Sequence, residues 1–327
     1  MKALLIEKPG SLDNLNLGEI PRPEPGPRDV LIRVHAAGVN PADWKIVERG
    51  VDSWALPIPA GLDAAGIVTS VGSEVADFAV GDRVCYHGSW LGLGAYAEYA
   101  AAPSHVVAKL PDGVSFEQAA VIPTAGYTAM LAIDDVMRPG PDDTILIHAG
   151  AGGLGGFAIQ LAKRRGACVI VTCSAENNAF VTGLGADYAI DYRNDDVTAR
   201  VRELTAGRGV DAVLDTIGTQ QVRAEAIGML AFQGWLLMFN GVPNFTELPQ
   251  MPRGMRIADI ALGAAYVAGD ARAQRRMAHY GEAMAALIAS NEIDPMIEHI
   301  YSFEQAVDAL RRNRTGHQRG RVVIRVE

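Results

Sequence analysis

Along the first hundred residues, short β-branched runs alternate with turn residues: Val30 to Val34, Ala65 to Val71, Arg83 to Tyr86 and Tyr96 to Ala100. Pro and Gly clusters separate them, notably PRPEPGPRD from Pro21 to Asp29. This pattern predicts a compact, mostly-β, barrel-like region with tight corners. From Ser115 the period lengthens. Ser115 and Gln118 have capping-box spacing ahead of an Ala-rich stretch, so a helix is expected there, interrupted at Pro123 and resumed from Tyr127 to Ile133. Apolar runs then alternate with helical segments. Strands are expected at Thr144 to Ala149, Cys168 to Cys173, Tyr188 to Ile190, Val210 to Asp215 and Trp235 to Asn240. Helices are expected near Gly155 to Arg165, Ala175 to Leu184 and Arg223 to Leu230. Strands without internal alternation, linked by helices, mean a parallel sheet covered on both faces. After Gly241 the order weakens, until Ser302 and Gln305 open a short helix and Arg321 to Val326 closes the chain as a strand.

The length of 327 residues is about twice a ~150-residue single-domain prior, so two domains are expected. With 49% hydrophobic and 20% charged residues, the chain is globular rather than disordered or fibrous. Twenty-nine basic against 38 acidic residues give a net charge of −9, which argues against a duplex nucleic-acid binder, whose affinity rests on neutralising phosphates. Three cysteines, Cys85, Cys168 and Cys173, make no disulfide framework and read as small buried hydrophobes. The start MKALLIEKPG lacks a signal-peptide core, and no apolar stretch reaches the ~18 to 20 residues that span a bilayer; a cytoplasmic location without a membrane anchor is expected.

Gly150, Gly152 and Gly155 occupy the glycine positions of GxGxxG in HAGAGGLGGFAIQLAK, with Gly153 and Leu154 between the last two. The pattern alone is weak, but here it lies between an expected strand and an expected helix. There the first Gly permits a tight turn, the second admits a pyrophosphate and the third lets helix and strand pack, while free helix N–H groups hold the anion. An acid at the tip of the second strand would grip a ribose 2′-OH and repel a 2′-phosphate. Small Ser174 stands there instead, which favours NADPH over NADH, although Ser174 is equally suited to be a helix N-cap and Glu176 follows closely.

The sequence resembles the medium-chain dehydrogenase/reductases, specifically their zinc-free quinone oxidoreductase branch. The resemblance is carried by AAGVNPADWK (Ala36 to Lys45), GLDAAGIVTSVG (Gly61 to Gly72), GDRV, AYAEYA, LPDGVSFEQAAVIPTAGYTA, the glycine loop with its IQLAK helix, LGADYAIDYR and VDAVLDTIG, in family order over nearly the whole chain. It implies an α/β protein: a GroES-like, β-rich catalytic domain over 1–122, completed by 263–327, and a Rossmann doubly wound parallel-sheet domain over 123–262, with the nicotinamide in a cleft between them. The zinc-dependent relatives carry Cys where Asn40 stands and His-Glu where Leu62 and Asp63 stand. Leucine binds no cation and an amide is a poor zinc ligand, so no metal is expected. Seven His residues lie scattered without ligand spacing, and His148 reads as structural.

The resemblance places Asn40 beside the nicotinamide as a donor to the substrate carbonyl, although an Asn-Pro turn accounts for it equally. Asp43 and Trp44 follow in the same motif; Asp43 reads more readily as a helix cap, and Trp44 with Trp54 as core or as an aromatic wall. It also places Tyr192 near the adenosine phosphate, with Asn177 or Asn178 where some NADPH-using relatives carry a base and Arg193 as a substitute cation. Ile217, Phe239, Asn240 and Gly241 fall near the nicotinamide amide, and Thr124 and Thr128 lie on the linking helix, in reach of the cofactor or merely packed. The implied activity is NADPH-dependent hydride transfer to a small lipophilic quinone or α,β-unsaturated carbonyl. The alternatives are an enoyl-thioester reductase, which needs a basic docking surface such as RRNR (Arg311 to Arg314), and a non-catalytic NADPH-binding scaffold or sensor. A homodimer joined through Rossmann edge strands, with Ile257 to Val267 contributing, is also implied.

Overall fold

The apolar runs of the middle third assemble into a six-stranded parallel sheet. Its spatial order is Tyr188–Asp191, Cys168–Cys173, Thr144–Ile147, Val210–Asp215, Leu230–Met238, Arg256–Asp259. In chain order this is 3-2-1-4-5-6, the order of doubly wound dinucleotide folds, and it reverses beside Thr144–Ile147. Ile145, Leu146, Ile147, Val213 and Leu214 are fully buried, as expected of strands covered on both faces. Helices Gly153–Arg164, Asn178–Gly183, Val197–Leu204 and Gln220–Met229 connect the strands. The structure, a computed structural model, describes residues 1–92, 94–239, 241, 254–316 and 318–327.

Two differences from the sequence reading have physical causes. The strand expected from Trp235 begins at Leu230, because the pairing jumps from Val210↔Leu230 to Ala212↔Trp235 across a bulge at which Gln233 takes φ +62°. Phe-Gln-Gly in that bulge interrupts the apolar run, so only its second half looks like a strand. Past Gly241, where the pattern weakens, the structure holds a 19-residue helix, Ala271–Ala289. Its buried Met277, Tyr280, Gly281, Met284, Ala285 and Ile288 follow the helical period, and the Asp270 carboxylate caps it by accepting from the Arg272 and Ala273 N–H groups.

Contacts group the chain into two units, Met1–Tyr127 with Gly263–Glu327, and Thr128–Leu262. The first carries a seven-stranded sheet. Its path runs Ile297–Ser302, Arg321–Arg325, Asp29–Val39, Asp63–Val71, Arg83–His87, Val107–Lys109, and Tyr99–Pro103 pairs with Asp29–Val39. The carboxyl-terminal strand lies antiparallel to Asp29–Val39 with Val322 opposite Val39, so the two ends of the chain share one sheet. Ser115 and Gln118 form the reciprocal cap ahead of helix Phe116–Ala120, and Pro123 lies in a wide π-turn, Ile122–Gly126, before Tyr127–Met130 resumes the α form. Thr124 in that turn bonds to Asp63, which ties these residues to the first unit.

Candidate active site

In the parallel-sheet unit, the chain leaves Ile147 and turns at Gly150 into helix Gly153–Arg164. A Cβ on Gly150 would stand 2.1 Å from Val171 Cγ1, and one on Gly155 would stand 2.7 Å from Ala149 O. Packing within the protein therefore demands glycine at both. A Cβ on Gly152 would meet only Ala149 O, at 3.5 Å, an ordinary contact, so the fold does not require the second glycine. Gly152 is the N-cap and has no side chain to cap the first turn, so the N–H groups of Gly153, Leu154 and Gly155 begin an uncapped helix. The open space above Gly152 and the positive helix end together fit a dinucleotide pyrophosphate.

The carboxyl ends of the neighbouring strands collect further residues named above. Ser174, buried after Cys173, accepts a hydrogen bond from Asn177 Nδ2 at 3.0 Å. The Arg193 guanidinium lies 5.7 Å from the Tyr192 ring centroid and 3.4 Å from Glu176 Oε1. Ser174, Asn177, Tyr192, Arg193 and Glu176 thus gather at the ends of two adjacent strands. Beyond Val210–Asp215, the buried Asp215 carboxylate accepts from the Ile217 and Gly218 N–H groups at 3.1 and 2.8 Å and from Arg223 Nε at 3.0 Å. This locks a turn on which Ile217 is 44% exposed. Phe239 and Gly241 follow the next strand, and Asn240 lies outside the described residues. His148 Nδ1 is 3.1 Å from Thr172 Oγ1, and Thr128 is buried in the turn Tyr127–Met130.

The β-rich unit holds a buried polar cluster that local sequence patterns do not reveal. Asn40 N-caps helix Pro41–Arg49, with Pro41 at its first position. Asp43, one turn on, accepts from the Asn40 N–H at 2.7 Å, and Tyr96 Oη lies 2.9 Å from the same carboxylate oxygen. Asp63 receives Asn40 Nδ2 at 2.9 Å, Thr124 N at 3.0 Å and Thr124 Oγ1 at 2.6 Å. Arg321, 2% exposed, donates from Nη2 to Asn40 Oδ1 at 2.8 Å and stands 3.6 Å from Asp63 Oδ2.

For Asp43 the cap reading holds, and two other expected roles shift. Asp43 is held as a cap and as a Tyr96 partner. Thr124 turns its hydroxyl to Asp63. Trp44 does not join the cluster: its Nε1 donates to Asn313 Oδ1 at 3.1 Å and its ring packs against the hydrophobic core beneath the last helix. Trp54, bonded through Nε1 to Trp90 O, lines with Trp90 a cavity of about 20 Å³ shared with Asp43 and Leu62. Arg321 and Asp63 were not legible as a pair, because they lie 258 positions apart, 321 minus 63, and neither stands in a local pattern that signals burial.

The donor set at this position does not fit a zinc ion. Leu62 offers no ligand, and Asn40 Oδ1 and Asp63 already face a guanidinium, whose charge would repel a dication. Among the described residues no three His, Cys, Asp or Glu side chains converge as a metal-binding group. The thiols are likewise passive: burial pushes Cys85 up to about 12 and Cys173 up to about 11.

Burial first, and then the Asp63 carboxylate, push Asp43 up to about 7. Below about pH 4 this carboxyl is protonated in both the folded and the unfolded chain. Between there and about 7 the unfolded chain loses the proton while the folded one keeps it, so this contribution to stability falls as pH rises and levels off above 7. Each unit of displacement corresponds to about 1.4 kcal/mol. Denaturant midpoints of the protein and of Asp43→Asn, measured from pH 4 to 8, are expected to converge or cross in favour of the variant as pH rises. A pH-independent gap would show that Asp43 titrates normally.

Comparison with known proteins agrees with this architecture. Residues 26–112 match the family model of the alcohol dehydrogenase GroES-like domain, and residues 184–324 match that of the zinc-binding dehydrogenases. The chain is 30% identical over 338 aligned positions to the chloroplast envelope quinone oxidoreductase homolog of Arabidopsis thaliana, covering 96% of this chain and 95% of that one. Among solved structures, quinone oxidoreductase from Pseudomonas syringae pv. Tomato DC3000 superimposes with a TM-score of 0.89 at 31% identity, covering 99% of both chains. Escherichia coli quinone oxidoreductase complexed with NADPH does so with a TM-score of 0.88 at 27% identity, covering both chains fully. A GroES-like unit formed by both ends of the chain, a 3-2-1-4-5-6 parallel sheet behind a glycine loop, and relatives matched end to end place this chain in the medium-chain dehydrogenase/reductase superfamily of oxidoreductases, in its quinone oxidoreductase-like branch.

Proposed function

We propose that the protein is an NADPH-dependent, zinc-independent reductase that passes hydride to a quinone or to the β-carbon of an α,β-unsaturated carbonyl. The observation that carries this reading is the Asn40 amide, which stands where metal-dependent relatives place a zinc ligand, in a buried cluster that holds a guanidinium. NADPH, when bound, supplies the hydride. Gly150 to Gly155 would hold its pyrophosphate, and Ser174, Asn177, Tyr192 and Arg193 its adenosine phosphate. As charge builds on the acceptor's carbonyl oxygen, a carboxamide N–H of Asn40 donates to it. Asn40 is 1% exposed, so the oxygen meets it away from bulk water, where such a bond counts most. A conjugated acceptor needs orientation more than a Lewis acid, and the final proton comes from solvent.

A small free acceptor is favoured over a carrier-bound thioester. Arg311, Arg312 and Arg314 each stand beside a carboxylate, of Asp13, Glu298 and Glu48 at 2.7, 3.7 and 3.1 Å, so this patch offers little net positive charge to an acidic carrier. The deciding experiment follows NADPH oxidation by absorbance, with quinones, enones and acyl thioesters in parallel. Oxidation by quinones or enones, undiminished by a chelator, is expected. Tight NADPH binding with no oxidation by any acceptor would leave a binding protein instead, and loss of activity to the chelator would restore the metal.

The choice of NADPH is tested separately. Arg193 and Glu176 are both largely exposed, so their mutual pair contributes little and the guanidinium is available to a 2′-phosphate. Arg193→Ala is expected to weaken NADPH binding about 10-fold and to leave NADH binding unchanged. Equal effects on both coenzymes would place Arg193 outside the phosphate site.

A further inference from the structure

A primary amide has two faces, and only one of them can donate to a carbonyl oxygen. Which face Asn40 presents is decided by its neighbours. The ladder between Arg321–Arg325 and Asp29–Val39 sets Val322 opposite Val39. One step further along the antiparallel register brings Arg321 opposite Asn40. There Arg321 Nη2 donates to Asn40 Oδ1 at 2.8 Å, while Asn40 Nδ2 donates to Asp63 Oδ2 at 2.9 Å. Rotating the carboxamide by half a turn would set its NH2 against the guanidinium and its oxygen against the carboxylate, losing two charge-assisted bonds at once. A carboxamide nitrogen carries two hydrogens, and Asp63 uses one of them.

We propose that Arg321 is a positioning residue for the reaction. By occupying the amide oxygen of Asn40, it fixes the carboxamide so that its second N–H is offered to the acceptor's carbonyl. This rests on the reading of Asn40 as the donor to that oxygen. Arg321 touches neither acceptor nor cofactor in this scheme and acts entirely through Asn40. Its guanidinium suits the task better than an ammonium, because both contacts come from one nitrogen, Nη2, and the rigid guanidinium plane fixes that nitrogen between Asn40 and Asp63.

The test is a double-mutant cycle on the full chain with Arg321→Lys, Asn40→Ala and the pair, in which kcat with one quinone and one enone is measured beside NADPH affinity by fluorescence. Lysine keeps the charge that Asp63 needs but replaces the rigid guanidinium plane with a flexible ammonium. Arg321→Lys is expected to lower kcat roughly 10-fold without changing NADPH affinity. Asn40→Ala is expected to lower it about 100-fold, and the double variant should be no slower than Asn40→Ala alone. A merely structural role predicts otherwise: the two losses would multiply, and NADPH affinity would fall with kcat. Either result overturns the inference while leaving Asn40 as the donor. Wild-type kcat in Asn40→Ala would instead remove the donor reading, and the inference with it. If Arg321→Lys does not fold, the charge-neutral pair Asp63→Asn with Arg321→Gln replaces it in the same cycle, with the same expected outcomes.

Discussion

Replacing Arg223 by methionine is expected to destabilise the protein by about 3–5 kcal/mol, the usual cost of removing one partner of a buried ion pair. Arg223 and Asp215 side chains are 4% and 0% exposed and meet at 3.0 Å. Methionine fills much of the volume of arginine but leaves the Asp215 carboxylate, among the described residues, with the Ile217 and Gly218 N–H groups to stabilise its charge. Because the same carboxylate holds the turn that carries Ile217 at the end of its strand, NADPH affinity should fall along with the denaturant midpoint. The double variant Asp215→Asn with Arg223→Met removes both charges and is expected to recover most of the stability, since an amide oxygen can still accept from that turn. A single variant that unfolds within about 1 kcal/mol of wild type would show that the pair does not hold this turn together.

Gly152→Val is expected to separate cofactor binding from folding. Gly152 has φ −80° and ψ 171°, extended backbone open to any residue, and a Cβ there meets no protein atom closer than 3.5 Å. The fold should lose no more than about 1 kcal/mol, the cost of a poorer N-cap. The added side chain does fill the space over the helix end, so NADPH affinity should fall about 100-fold, or roughly 2.7 kcal/mol. Gly150→Val is the contrast, because its Cβ would stand 2.1 Å from Val171 Cγ1, so folding and binding should fail together. Calorimetry of NADPH binding beside thermal melts reads both effects. Wild-type affinity in a folded Gly152→Val protein would remove the glycine loop from the cofactor site, whatever the acceptor proves to be.

Much of the fold and part of the candidate site could be read from local pattern. Cys168–Cys173 and Val210–Asp215 stand where their apolar runs stop and start, because a strand covered on both faces has no reason to admit polar residues until it emerges. The glycine loop was legible because Gly150 and Gly155 answer to packing demands within six residues of one another. Leu230–Met238 was half hidden by its bulge, and Ala271–Ala289 by an Arg- and Ala-rich surface that dilutes its apolar stripe.

The amino-acid order alone thus determined the alternation of strands and helices, the glycine turn before its helix and the absence of a zinc ligand at Leu62, since each depends on residue type within a short window. Tertiary structure alone decided that Arg321 faces Asn40 and Asp63, that Arg223 neutralises Asp215, and that Trp44 turns to the last helix. A buried charge is tolerated only where folding brings it a partner. For Arg321 that partner comes from the opposite end of the chain, delivered by a strand register that no local window contains.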